Sequence, residues 1–363
     1  MKTKLYLSVL AICIIAISSC KKFDGGNTVV PSTLSHSGTS GPDVYVAGYY
    51  YAKNGKTVAV YWKNGLLHKL SDSTLNAAGE AIALHDTDVY VSGTQTEANG
   101  SLTAVYWING HKVILDHNAG AAAGEGIVVT ECGCDVYVVG TVIEGTGSRA
   151  VYWKNGVQHR LPGGSKNMEG NGITLHGKDV YVAGLGVPFD NTTSYAFYYK
   201  NDSLHVLTDS TTISGQGQAI IVKGNDVYVA GASWVGGDHI ATVWKNGVAT
   251  LVGNTSNNLG SIVTGLAVKG NDTYTSVVLG TDASFWLNNT KTDLTPSPLF
   301  GNDTAIVLSG NDVYISGWNA SFNGNENPAA CYWKNGVAAP LTAPRNTTGL
   351  SGSAGLGIAV AQH

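Results

Sequence analysis

Apolar positions along this chain come in short runs whose two faces are both filled. In Val44-Tyr45-Val46-Ala47, Val44 and Val46 point one way while Tyr45 and Ala47 point the other. One stretch reads strand by strand. Ala81-Ile82-Ala83-Leu84 is a short apolar run, and His85-Asp86-Thr87-Asp88 is a turn. Val89-Tyr90-Val91-Ser92-Gly93 is a second strand, rich in β-branched and aromatic side chains. A polar loop follows through Thr94 to Leu102, then a third strand at Ala104-Val105-Tyr106-Trp107. Asn109-Gly110 is a tight turn into a fourth strand, Lys112-Val113-Ile114-Leu115. Asn-Gly between apolar runs marks a hairpin because both turn positions need φ > 0.

The unit recurs. Runs akin to Asp-Val-Tyr-Val-Ala-Gly begin at Asp43, Asp88, Asp135, Asp179, Asp226, Asp272 and Asp312, in steps of 40 to 47 residues. Downstream of each lies a Val-Tyr-Trp-Lys-Asn-Gly relative, centred on Trp62, Trp107, Trp153, Tyr199, Trp244, Trp286 and Trp333. A small-Ile-x-Val/Leu run precedes the next Asp, starting at Ala81, Gly126, Gly172, Ala219, Gly265, Ala305 and Gly357. Seven copies of four short strands, with no helical segment between them, predict an all-β, seven-bladed β-propeller. Blades sandwiched between neighbours need cover on both faces, as the runs provide. The sixth unit departs most, at Asp272-Thr273-Tyr274-Thr275 and Phe285-Trp286-Leu287-Asn288, but keeps the order of elements.

The first complete motif is a second strand at Asp43, and the last, Gly357-Ile358-Ala359-Val360, is an inner strand with nothing after it. The expected closure joins that inner strand to the N-terminal blade and hides two open edges. The reading assigns 1–19 to a signal peptide, 20–42 to a lipidated Cys and flexible tether, and 43–363 to the propeller.

Lys2 and Lys4 precede a mostly apolar stretch from Leu5 to Ile17, too short for a bilayer span. Ile17-Ser18-Ser19-Cys20 resembles the bacterial lipobox, which implies acylation of Cys20 and a membrane partner reached through lipid. Lys21 follows, not Asp; by resemblance to enterobacterial sorting this implies the outer membrane, with the surface or periplasmic side open. Charged residues are only 13% and the formal net charge is −4, so no basic face invites nucleic acid. Two of the five cysteines lie in the signal region, so disulfides cannot build the fold.

The pairing of Asp88-Val89-Tyr90-Val91-Ser92-Gly93 with Ala104-Val105-Tyr106-Trp107 resembles propeller-like lipoproteins of the Bacteroidetes and, more loosely, HAF-type extracellular repeats. The likeness covers nearly the whole mature chain. It implies an envelope-located propeller and no particular activity.

The repeated Asp residues are expected to cap backbone amides at turns, and the Trp series to fill the space between blades. A site should therefore break the sevenfold pattern. The second-to-third and fourth-to-first connections vary and share one face of the disc. They carry Tyr50-Tyr51, Phe189-Asp190-Asn191, Trp234 with His239, and Trp318 with Phe322-Asn323. Aromatics beside Asn, Asp and Gly suit a carbohydrate or peptide groove. Residues entering the inner strands are Glu80, Glu125, Asn171, Gln218, Thr264, Thr304 and Leu356, expected to ring the channel mouth. Glu80 and Glu125, on adjacent blades beside Asn171 and Gln218, could hold Ca²⁺ or sugar hydroxyls, or only cap turns and bind water. Two Glu could also act as acid and base in glycoside cleavage. Cys132-Gly133-Cys134 lengthens one turn, with no His near in sequence, and reads as a local turn feature; Cys331 reads as buried. The expected role is non-enzymatic binding of polysaccharide or an envelope protein on the variable face. Polysaccharide cleavage and a structural part in an outer-membrane complex are the alternatives.

Overall fold

The computed structural model describes residues 41–115, 121–163, 165–189, 193–208, 214–235, 237–253, 260–280, 282–294, 301–319, 328–344 and 352–362. Cys20 and the expected signal segment lie outside the described residues, as do Asp190, Asn191, Phe322 and Asn323. Strands β1 (Asp43–Tyr51), β2 (Thr57–Lys63) and β3 (Leu66–Lys69) belong to blade I. Blade II is β4 (Ala77–His85), β5 (Asp88–Thr96), β6 (Leu102–Ile108) and β7 (His111–Ile114). Blade III is β8 (Ala121–Val129), β9 (Val136–Glu144), β10 (Gly147–Lys154) and β11 (Val157–Arg160). Blade IV is β12 (Asn167–His176), β13 (Asp179–Val187), β14 (Tyr195–Lys200) and β15 (Ser203–Val206). Blade V is β16 (Ser214–Lys223), β17 (Asp226–Val235), β18 (Asp238–Lys245) and β19 (Val248–Leu251). Blade VI is β20 (Ser261–Lys269), β21 (Asp272–Leu279), β22 (Asp282–Leu287) and β23 (Thr290–Asp293). Blade VII is β24 (Gly301–Ser309), β25 (Asp312–Asn319), β26 (Ala329–Lys334) and β27 (Val337–Pro340), and β28 (Ser353–Ala361) completes blade I.

The chain is thus a seven-bladed propeller of four-stranded antiparallel sheets. Inner strands β4, β8, β12, β16, β20, β24 and β28 each touch the next around a closed ring. The circle is sealed where β28 pairs with β1, Asp43 opposite Ala361 and Val46 opposite Ile358. The departing sixth unit still forms a complete blade.

The repeated turn works differently from the sequence expectation. It is the Asn of the third-to-fourth turn, not the Asp, that caps the backbone. Asn64 Oδ1 accepts from the Val44 amide at 2.9 Å, while Asn64 Nδ2 donates to Asp43. The same pair of bonds recurs in all seven blades, down to Asn335 with Val313 and Asp312. Each of these Asn residues sits at φ between 50 and 53, the left-handed region that Asn tolerates better than most. Asp is the acceptor that orients the amide. In five blades the preceding Lys completes the cluster, as in Lys63 to Asp43 at 2.7 Å with its ammonium over the Tyr45 ring. Ile108 and Leu287 stand in its place in blades II and VI.

The core is seven separate layers between blades rather than one mass. In each, the Trp-series residue of one blade meets the residue just after the fourth strand of the blade before: Trp107 with Leu70, Trp153 with Leu115, Trp333 with Leu294. Trp62, Trp107, Trp153, Tyr199, Trp244 and Trp333 are fully buried. Indole N–H groups tie across the layer, Trp62 to the Thr342 carbonyl at 2.7 Å and Trp333 to the Leu294 carbonyl at 2.9 Å. The expectation that these aromatics fill the inter-blade space is met.

Candidate functional site

Every inner strand carries a β-bulge, and its extra residue is, blade by blade, Leu356, Glu80, Glu125, Asn171, Gln218, Thr264 and Thr304. The sequence placed these residues ahead of the inner strands. They lie within them, because the ladder resumes beyond the bulge: Gly79 pairs with Gly93 and Ala81 with Ser92, leaving Glu80 unpaired between. A Cβ at Gly93 would stand 2.0 Å from the Ala78 carbonyl, which is why that strand repeatedly carries Gly opposite the bulge.

Several members of this ring are committed to holding blades together. Asn171 Nδ2 donates to the Gly217 carbonyl of the next blade at 2.8 Å, and Thr304 Oγ1 donates to the Gly355 carbonyl at 2.8 Å. Thr264 Oγ1 bonds within its blade to Ser276. Glu80 and Glu125 differ: among the described residues neither carboxyl has a hydrogen-bond or ion-pair partner. By area both are half-buried, yet the protein packed around them penalises the charged form. The second effect governs their ionisation. Burial pushes Glu80 up to about 7. Burial, then the charges of Glu80 and Glu169, pushes Glu125 up to about 8. The two titrate as a unit that holds at least one proton near neutrality.

Two further groups belong to this arc. Glu169, on β12 next to the blade IV bulge, is raised by burial. The Tyr49 phenol is pushed up to about 12 by burial, then by neighbouring Tyr51 and Glu80. Tyr49 and Tyr51 rings meet edge to face at 5.7 Å. The sequence pointed to Tyr50-Tyr51 as loop aromatics; they lie in β1, and Tyr50 is buried in the layer between blades VII and I. Alternation along the strand past Gly48 puts Tyr49 and Tyr51 on one face and Tyr50 on the other. Among the described residues no group of three or more His, Cys, Asp or Glu is arranged to hold a metal ion.

The other predicted aromatics separate. Trp234 and His239 face each other across the β17–β18 hairpin, ring centroids 3.8 Å apart and edge to face. Trp234 is 39% exposed, and its indole N–H donates to the Gly237 carbonyl at 3.0 Å, which fixes the ring. Burial lowers the His239 imidazole. Both residues border a pocket of about 60 Å³ between blades IV and V, with Ser194, Ser214, Ser233 and Gln216 among its walls. The volume admits a hydroxyl or hydroxymethyl group and a water or two, far below an enclosed ligand site. Gln216 stands two positions before Gln218 on β16, so the pocket adjoins the bulge ring. Trp318 is half-buried in β25 of blade VII and does not line this pocket.

No protein-family profile matches the sequence. No curated protein matches it. Among solved structures, the chain is similar to a puromycin-hydrolysing peptidase of Mycobacterium tuberculosis, at TM-score 0.54 and 12% identity, over 83% of this chain and 53% of that one. It is also similar to a prolyl endopeptidase at TM-score 0.46 and 11% identity, covering 85% of this chain and 50% of that one. The chain spans about half the length of these relatives. At 12% identity the likeness to the first speaks to the fold alone.

Proposed function

We propose that this protein is an exported, lipid-anchored propeller of the bacterial cell envelope that captures a glycan on its variable face without cleaving it. The observation carrying this reading is the exposed, immobilised Trp234 ring beside a hydroxyl-lined pocket. The Trp series, apart from the half-buried Trp286, is buried between blades, so the exposed Trp234 indole, which lies outside that series and is held on two sides, is exceptional. A flat apolar ring beside Gln216 and the mutually bonded Ser194 and Ser214 hydroxyls offers a sugar a stacking surface with polar groups at its edge. The small pocket suits one exocyclic group, with the rest of the sugar lying on the indole. Acylation of Cys20 would hold the propeller at a membrane, as the lipobox resemblance implies. The test is binding of the purified protein across a polysaccharide array, repeated with Trp234→Ala. Selective capture lost in the variant supports the reading; equal capture by both rejects this face.

Polysaccharide cleavage is a second reading, favoured by one observation. Burial raises both Glu80 and Glu125 toward neutrality, where one carboxyl can donate while another stays ionised. Product release from any captured glycan, abolished by Glu80→Gln and by Glu125→Gln, would replace the first reading with this one.

A further inference from the structure

The first-to-second turn of blade III breaks the pattern on the otherwise uniform face. Elsewhere that turn is as short as Asp86-Thr87, but between β8 and β9 it is longer and carries Cys132-Gly133-Cys134. Both thiols are exposed. The turn is nevertheless held in shape. The Thr130 hydroxyl accepts from the Asp135 amide at 3.0 Å, and the Gly133 amide donates to the Thr130 carbonyl at 2.8 Å. Asp135 is itself anchored by Asn155 and Lys154. Gly133 takes φ +67 and leaves room for the His85 imidazole of blade II, whose ring atoms would lie 2.6 Å from any added Cβ. His85 Nε2 donates to the Glu131 carbonyl at 3.0 Å, so a residue 46 positions earlier backs the turn.

The two sulfurs are not equivalent. Thr130 Oγ1 lies 3.4 Å from Cys132 Sγ, and the Cys134 thiol bonds to the Cys132 carbonyl at 3.4 Å. The neighbouring Cys134 side chain, then Thr130, lower the Cys132 thiol to about 7. A thiol of that acidity is near the optimum for attack at neutral pH. Cys331 is the contrast: fully buried in β26 and pushed well above the ordinary thiol range by burial.

We infer that Cys132 and Cys134 form a thiol–disulfide exchange site whose substrate is an accessible disulfide. Cys132 thiolate attacks one sulfur of the disulfide R–S–S–R, forming a mixed disulfide and releasing one thiolate. Cys134 then attacks the Cys132 sulfur, closing the Cys132–Cys134 bond and releasing the second. Two protein thiols are oxidised, the substrate disulfide is reduced to two thiols, and the protons leave with the departing thiolates. Closure spans one residue, so the internal bond is strained and readily reopened by thiols, as exchange requires. His85 is a positioning residue that fixes the turn.

The experiment incubates the full-length protein with oxidised glutathione and reads the tryptic peptide running from Val113 to Arg149, which carries both cysteines and no other. The wild type is expected to form the internal disulfide and release two glutathiones. Cys134→Ser should stop at a glutathione adduct on Cys132, and Cys132→Ser should react several-fold more slowly. Alkylation of Cys132 should be half-maximal near pH 7 rather than at the ordinary thiol value of about 8.5. Equal, slow reaction of the two single variants, or a wild type that stops at the adduct, would overturn the inference. Both side chains are exposed, so neither substitution threatens the fold.

Discussion

Asn109 Nδ2 donates to Asp88 Oδ1 at 2.8 Å while Asn109 Oδ1 accepts from the Val89 amide at 2.9 Å, so two repeated motifs 21 residues apart act as one clamp. The bond ties the start of the second strand to the third-to-fourth turn, and the same clamp in every blade explains why Asp and Asn recur together.

Breaking one clamp separates its two contributions. Asn155→Gly keeps the turn at positive φ but loses both hydrogen bonds, at a cost of about 1–2 kcal/mol. Asn155→Ala loses the bonds and also strains the backbone, adding about 1 kcal/mol. Urea unfolding of the two variants should show this order, with Asn155→Ala the less stable.

Around the inner ring, the small residues after the bulges abut the next blade, and no two neighbours are both Ala. Gly172 meets Ala219, Gly265 meets Ala305, and Gly357 meets Ala81. A Cβ at Gly172 would lie 2.6 Å from the Gln218 carbonyl and 3.0 Å from Ala219 Cα. Backbone cannot yield as a side chain does, so Gly172→Ala should cost roughly 1–3 kcal/mol of stability. Thermal unfolding checks it; an unchanged melting temperature would show that the ring has slack.

Stability should fall as pH rises from about 5 to 8. Glu80 and Glu125 hold their protons in the folded state, at about 7 and about 8, through a range where the unfolded chain has released them. The native state then binds more protons, and the slope of unfolding free energy with pH is negative. Above the folded-state values the loss levels off. Melting temperatures measured across this range should decline for the wild type and much less for the Glu80→Gln, Glu125→Gln double variant.

Removing residues 355–363 deletes most of β28 and exposes the inner edge of β1. With the ring open, the layers on either side of blade I lose cover, and cooperative thermal unfolding should disappear. A native-like melt for the truncated chain would contradict closure by β28.

Strand order, blade number and closure were legible in the residues alone, because they rest on local alternation, turn chemistry and repetition, all of which are one-dimensional. Asn64-Gly65 and Val44-Tyr45-Val46-Ala47 state their geometry wherever they sit. The site was legible only as a roster. Glu80 and Glu125 could be aligned, but their shared proton depends on dehydration inside a ring built by seven distant strands. Tyr49 joins that arc through blade I, where alternation gives its face but not its partner, and Glu169 through blade IV, with no local signal to mark it. The burial of Tyr50 and the exposure of Trp234 were decided by which blade packs against each. His85 comes to Cys132-Gly133-Cys134 only because blades II and III are neighbours. Sequence determined the repeating unit, whose energetics are local; tertiary structure decided ionisation, exposure and encounter, which depend on what the neighbouring blade places against each side chain.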